Sequence, residues 1–223
     1  RAAAACRTAL GLDPNRPTIL VMGGSQGASG INDLVIGALE MLKAGRARHS
    51  VRAAAVSPAD ELQFFHLSGP SDVEKVRRAY AEQNLRAVVH GFFGEMDTAL
   101  GAATVAVSRS GASSLAEIAA MRVPSILVPF PAATDNHQFY NAQAFAETGA
   151  AHLLEQKNST PEKLAEMILD LVTNASARDA TQSALAKWHA PQAAEQIAET
   201  MLKLIAQGTE RASAKPHDAD GSC

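Results

Sequence analysis

Thr18-Ile-Leu-Val-Met-Gly-Gly-Ser-Gln-Gly-Ala-Ser-Gly30 is the stretch whose reading decides the fold. A short apolar run, Thr18 to Met22, meets two glycines, and helical apolar spacing takes over from Ile31 to Lys43. Strand, small-residue loop and helix in that order open a parallel βαβ unit. The loop spacing is Gly24-x-x-Gly27-x-x-Gly30, which differs from the dinucleotide G-x-G-x-x-G, and no Gly-Lys-Ser/Thr makes it a P-loop. Two readings stand. Small residues satisfy a tight strand-to-helix turn, or the glycines admit a phosphate to backbone N–H groups, the Ser25 hydroxyl and a helix N-terminus.

The same alternation continues outward. Leu62–Leu67, Ala87–His90, Thr104–Val107 and Ser125–Val128 are strand candidates. Helices are expected from Asp72 to Gln83 and from near Glu95, Ser113 and Asn136. Beyond Gln156 the pattern is helical over Thr160–Val172, Ser176–Trp188 and Gln192–Gln207, with Thr160 and Pro161 marking a helix start. The expected fold class is α/β, a Rossmann-like parallel sheet with C-terminal helices. Residues 1–16 read as a linker with a short first helix, 17–207 as the domain, and 208–223, which lack periodicity, as a disordered tail.

Bulk properties exclude several classes. With 223 residues and 47% apolar residues, the chain can bury one large core. Its net charge of -3 gives no cationic surplus for nucleic acid. Cys6 and Cys223 sit near opposite ends, so neither a disulfide framework nor a metal cluster is expected. No run of about 18 apolar residues is present to span a bilayer. Asp218-Ala-Asp220 falls in the expected tail and is read as solvated, so no metal and no cofactor is assigned.

A second cluster repeats the first one's logic. Ser108-Arg-Ser-Gly-Ala-Ser-Ser-Leu-Ala-Glu-Ile118 runs from a strand end into a helix start. Ser113 and Ser114 fall where hydroxyls and free N–H groups meet an anion. Glu117 is either the partner of Ser114 in a capping box or a carboxylate facing a ribose diol. Arg109 is a phosphate or structural partner. In Pro129-Phe-Pro-Ala-Ala-Thr-Asp-Asn-His-Gln138, Asp135 is the expected N-cap of the next helix. Gln138 and Asn141 share a face and carry amides suited to sugar hydroxyls. His137 alone reads more simply as an ordinary surface or core histidine.

Taken together, these segments resemble the MurG family of bacterial N-acetylglucosaminyltransferases, in glycosyltransferase family 28. The matching stretches are Ile19–Ala28 with Asn32, His90-Gly-Phe-Phe-Gly-Glu-Met96, Ser108–Gly111 with Leu115–Ala119, and Pro129–Gln138 with Asn141-Ala142, followed by Gly149-Ala-Ala151. The resemblance implies the C-terminal, donor-binding half of a GT-B enzyme. It implies that Ser25, Gln26 and Gly27 contact a UDP phosphate, that Phe93 holds uracil through its main chain, and that Ser113 and Ser114 begin the phosphate-binding helix. It further implies that Glu117 binds the ribose and that Gln138 meets the GlcNAc hydroxyls, with His137 and Asn141 beside it.

The implied reaction is inverting transfer of GlcNAc from UDP-GlcNAc to undecaprenyl-pyrophosphoryl-MurNAc-pentapeptide, converting lipid I to lipid II in peptidoglycan synthesis. The acceptor and the general base belong to an N-terminal domain that this chain is expected to lack. The resemblance therefore implies no catalytic residue here and no efficient transfer by this chain alone. It implies peripheral attachment of the full-length protein to the cytoplasmic face of the bacterial inner membrane, with this part soluble and cytoplasmic. Two alternatives remain open: the donor-binding subunit of a split GlcNAc transferase, and an enzyme like the UDP-GlcNAc 2-epimerases.

Overall fold

The computed structural model describes residues 2–24, 29–50 and 62–213, and only the backbone of 45–50 and 208–213. Its elements in chain order are α1 (Ala3–Ala9), β1 (Thr18–Met22), α2 (Ser29–Ser50), β2 (Gln63–Leu67), α3 (Val73–Glu82) and β3 (Arg86–His90). Then come α4 (Met96–Ala102), β4 (Val105–Ser108), α5 (Ala112–Met121), β5 (Ser125–Leu127) and α6 (His137–Glu147). β6 (His152–Leu153), α7 (Pro161–Thr173), α8 (Ala175–Leu185) and α9 (Ala193–Ser213) complete the chain. The chain divides into residues 1–189 and 190–223.

In the larger unit the strands form one sheet in the order β3-β2-β1-β4-β5-β6, and each pairing is parallel. Strand side chains alternate between two cores, as the period-2 pleat requires. Ile19, Val21, Phe64, Val105, Val107 and Ile126 pack with α2, α3 and α7 on one face. Leu20, Met22, Phe65, Ala106 and Leu127 pack with α4, α5, α6 and α8 on the other. Both faces are covered, so β1 is buried at every position. Thr160 caps α7 by accepting the N–H of Lys163, and Asn174 caps α8 by accepting that of Ala177. Trp188, just past α8, stacks on Phe145 of α6 at 4.1 Å and donates its indole N–H to the Thr148 hydroxyl.

Two features depart from the sequence expectation. β6 is two residues long, too short for periodicity to reveal. In the smaller unit α9 continues past Gly208 to Ser213, so the tail expected from residue 208 begins as helix. One glycine costs a helix only about 1 kcal/mol, and Glu210, Arg211 and Ala212 behind it are good helix formers. Residues 214–223 lie outside the described residues.

One polar chain runs through the core. The Tyr80 hydroxyl donates to His66 Nδ1 at 3.0 Å, and His66 Nε2 donates to Asn32 Oδ1 at 2.9 Å. Asn32 Nδ2 then donates to the Ser68 carbonyl and to Asp72 Oδ2. A carbonyl and a carboxylate only accept, so the Asn32 amide orientation, and with it the His66 tautomer, follows from the network. Burial pushes the His66 imidazolium down to a pKa of about 3, so the ring is neutral.

Acid stability tests that network. From the ordinary pKa of 6.5 down to about 3, the unfolded chain holds a proton on this histidine that the folded chain does not. Stability is therefore expected to fall as pH drops through that window, by up to ~1.4 kcal/mol per pH unit. Urea unfolding at several pH values measures it; an unchanged slope in His66→Gln would contradict it. Packing of α1 on α4 gives a second test. A Cβ at Gly101 would lie 2.8 Å from Cys6 Sγ. Gly101→Ala is expected to cost about 1–3 kcal/mol. Less should be lost when it is combined with Cys6→Ala, as a double-mutant cycle would read.

Candidate functional site

β1 and β4 are neighbours, but the chain extends the sheet in opposite directions from them. This is the topological switch point, where open parallel sheets bind ligands beyond the strands' carboxyl ends. A cleft of about 170 Å³ opens there, lined by Gly23 and Gly24 after β1, by Arg109, and by Gly111, Ala112, Ser113 and Ser114 at the start of α5. Gln138 of α6 closes it. Thus Arg109, Ser113, Ser114 and Gln138, chosen from separate motifs, come together. Ser25, Gln26 and Gly27 lie outside the described residues.

The α5 end is built to leave donors free. Its N-cap is Gly111, with no side-chain cap, and Leu115 N–H makes the first helical bond, to the Gly111 carbonyl. The N–H groups of Ala112, Ser113 and Ser114 therefore have no acceptor inside the helix. Gly111 has an ordinary φ of -66°, and a Cβ there would meet nothing within 4 Å. Neither backbone nor packing demands glycine at this position; its effect is to keep the cleft open. Gly24 is different, since its φ of +70° needs glycine. With the N-cap at Gly111, Ser114 is inside the helix and cannot form a capping box with Glu117. That alternative is overturned. Glu117 is exposed and bonds to no described residue, so its carboxylate is available.

Arg109 is buried at 4% exposure. Its Nη1 donates to the carbonyls of Val128 and Pro129, each at 3.0 Å, tying the exit of β4 to that of β5. The guanidinium carbon lies 5.3 Å from the centre of the Phe130 ring. Nε is buried without a partner, and burial lowers the pKa to about 10. A buried cation with an unsatisfied donor is costly to hold.

The loop into α6 carries Asp135 and Asn136 in left-handed conformations, with φ of 49° and 54°. Side-chain residues pay about 1–2 kcal/mol for this, and Asp and Asn tolerate it best. The helix cap expected at Asp135 is corrected: the reversal places Asn136 at the N-cap, with no side-chain cap bond. Gln138 is buried, and its Oε1 accepts the Phe130 N–H at 3.0 Å, leaving the amide N–H groups for a ligand. Ser110, which lies in the Ser108–Gly111 motif without an assigned role, locks this arrangement: its hydroxyl donates to the Gln138 carbonyl, and its own carbonyl accepts from Asn141 Nδ2. Asn141 thereby fastens α6 to the strand exit. His137 is exposed, and its Nδ1 donates to the Thr134 carbonyl at 2.8 Å, turning Nε2 outward.

Phe93 lies between β3 and α4. Its half-buried ring packs on Phe65 and His90. Phe93, Glu117, His137 and Asn141 do not line the cleft itself. Among the described residues, no three His, Cys, Asp or Glu side chains gather as for a metal, and no helix is long and apolar enough to cross a membrane.

Comparison with known proteins gives the chain's family. The chain is 35% identical over 192 residues to the UDP-N-acetylglucosamine–N-acetylmuramyl-(pentapeptide) pyrophosphoryl-undecaprenol N-acetylglucosamine transferase of Myxococcus xanthus DK1622, covering 86% of this chain and 47% of that protein. It is 38% identical over 190 residues to the protein of the same name from Anaeromyxobacter sp. Fw109-5, covering 85% and 46%. The chain thus spans about half the length of these relatives. Among solved structures, Acinetobacter baumannii MurG superposes with a TM-score of 0.66 at 27% identity, over 84% of this chain and 52% of that one. A UDP-N-acetylglucosamine 2-epimerase-like protein of Listeria monocytogenes shares the fold alone, with a TM-score of 0.59 at 16% identity. The model of the glycosyltransferase family 28 C-terminal domain matches residues 18–198, and the chain belongs to that family.

Proposed function

We propose that this chain is the UDP-GlcNAc-binding half of an inverting N-acetylglucosaminyltransferase acting on undecaprenyl-linked muramyl-pentapeptide. The observation that carries the reading is the cleft at the switch point, where the free N–H groups of α5, a buried Arg109 short of a partner, and the Gln138 amide converge. The diphosphate sits against Ser113, Ser114 and Arg109, and Ser25, Gln26 and Gly27 are assigned to the same phosphates on the strength of the sequence motif. Glu117, one turn along α5, accepts the ribose hydroxyls, and the Phe93 main chain holds uracil. Gln138 donates to the sugar, flanked by His137 and Asn141.

In the transfer, an acceptor hydroxyl attacks C1 of GlcNAc opposite the leaving UDP, which inverts the anomeric centre. The hydroxyl proton passes to a base in the companion N-terminal half. This chain contributes electrostatics: the α5 N-terminus and Arg109 stabilise charge as it builds on the diphosphate. Peripheral attachment to the cytoplasmic face of the inner membrane belongs to the whole enzyme under this reading.

Calorimetry with UDP-GlcNAc tests the proposal directly. Glu117→Ala is expected to weaken binding by about tenfold to a hundredfold, the equivalent of ~1.5–3 kcal/mol for a charged hydrogen bond. Unchanged affinity would remove Glu117 from the site. Gln138→Ala is expected to weaken UDP-GlcNAc by about tenfold while leaving UDP within about twofold. Equal losses for both ligands would instead give Gln138 a purely structural role.

A further inference from the structure

We propose that Ser110 is a positioning residue for sugar recognition, one that sets Gln138 at a fixed place relative to the start of α5. The inference rests on the donor-binding reading above. Ser110 is fully buried and does not line the cleft, so it acts through α6 and not on a ligand. Its hydroxyl donates to the Gln138 carbonyl at 2.7 Å, and its carbonyl accepts from Asn141 Nδ2 at 3.1 Å.

The hydroxyl bond does not rescue a stranded group. Gln138 lies in the first turn of α6, where its carbonyl faces the N–H of Ala142 one turn on, and a carbonyl oxygen has a second lone pair to offer. What the bond adds is place. The start of α6 lacks a cap of its own: Asn136 makes no side-chain cap bond, and both it and Asp135 are left-handed. Residues 134–137 are exposed, so burial does not hold them either. Positions 138 and 141, three apart, share one face of the helix. Two bonds from one residue to that face set both the height and the rotation of the first turn.

Ser110 is itself fixed on either side. Arg109 before it ties the β4 exit to the Val128 and Pro129 carbonyls. Gly111 after it is the N-cap of α5, whose residues Ala112, Ser113 and Ser114 line the cleft. The Phe130 N–H then occupies Gln138 Oε1 at 3.0 Å. Ser110 thus sets where Gln138 stands, and Phe130 sets which way its amide faces. Under the donor reading a UDP-sugar spans from the start of α5 to Gln138, whereas UDP alone stops short of Gln138. Loosening the Ser110 tie should weaken the UDP-sugar and spare UDP.

Calorimetry with UDP and UDP-GlcNAc on the full chain, Ser110→Ala, Gln138→Ala and the double variant tests this. Ser110→Ala is expected to raise the UDP-GlcNAc Kd about three- to tenfold, with UDP within about twofold. In the Gln138→Ala background the same substitution should change UDP-GlcNAc by less than about twofold, because the residue it acts through is gone. A merely structural role would weaken both ligands, or would persist in that background. Either result overturns the proposal, and so does unchanged UDP-GlcNAc affinity in Ser110→Ala. If Ser110→Ala does not fold, Asn141→Ala removes the other bond and decides by the same criteria. A parent chain that binds neither ligand overturns the donor reading, and this inference with it.

Discussion

β1 and β4 lie side by side in a parallel sheet, yet the helices that leave them depart to opposite faces: α2 packs in one core and α5 in the other. A helix covering one face cannot also roof the ends of both strands. A cleft opens beyond the strand exits at Gly23 and Arg109, bounded by the start of α5 and by Gln138 of α6. Because both helices follow their strands directly, both N-termini lie at the same end of the sheet. The right-handed crossovers of a parallel sheet enforce that geometry before any ligand contact is considered.

Two buried polar groups meet opposite fates within this frame. His66 is neutral, with both ring nitrogens paired, so its burial costs little once the network forms. Arg109 remains a cation with its Nη1 paired to two carbonyls and its Nε paired to nothing. Carbonyl dipoles offset part of its desolvation, but no described carboxylate neutralises it. The first group is fully paired within the scaffold; the second is not.

The sheet was largely legible because most of its strands are short apolar runs alternating with helical spacing. β1 lies where the sequence reading puts it, and the helix starts near Glu95, Ser113 and Asn136 are placed within a residue or so. What escaped depends on contacts distant in sequence. Arg109 finds its carbonyl partners 19 and 20 residues on, and His66 finds Asn32 34 residues back. No local pattern encodes either. Capping rules misplaced Asp135, and the capping alternative for Glu117 failed, because they read residue type at a spacing. The left-handed pair before α6 and the bare glycine before α5 are backbone decisions that spacing does not record. Ser110 escaped because a serine between a strand and a helix carries no signal of its own.

Where the chain departs from local preference is itself informative. α7 and α8 begin with side-chain caps. α5 and α6 begin without them, one behind glycine and one behind two left-handed residues. A missing cap alone marks nothing, since α3 and α4 lack one as well. At α5 and α6, however, it coincides with a cleft, an unsatisfied buried cation and a glutamine amide with donors to spare. Local costs of about 1–3 kcal/mol each persist only where the surrounding structure over-determines them. Here the surroundings are the Ser110 bonds to Gln138 and Asn141 and the Arg109 bonds to the β5 exit. Those contacts hold two helix starts at fixed positions beside a cavity that the described residues leave open.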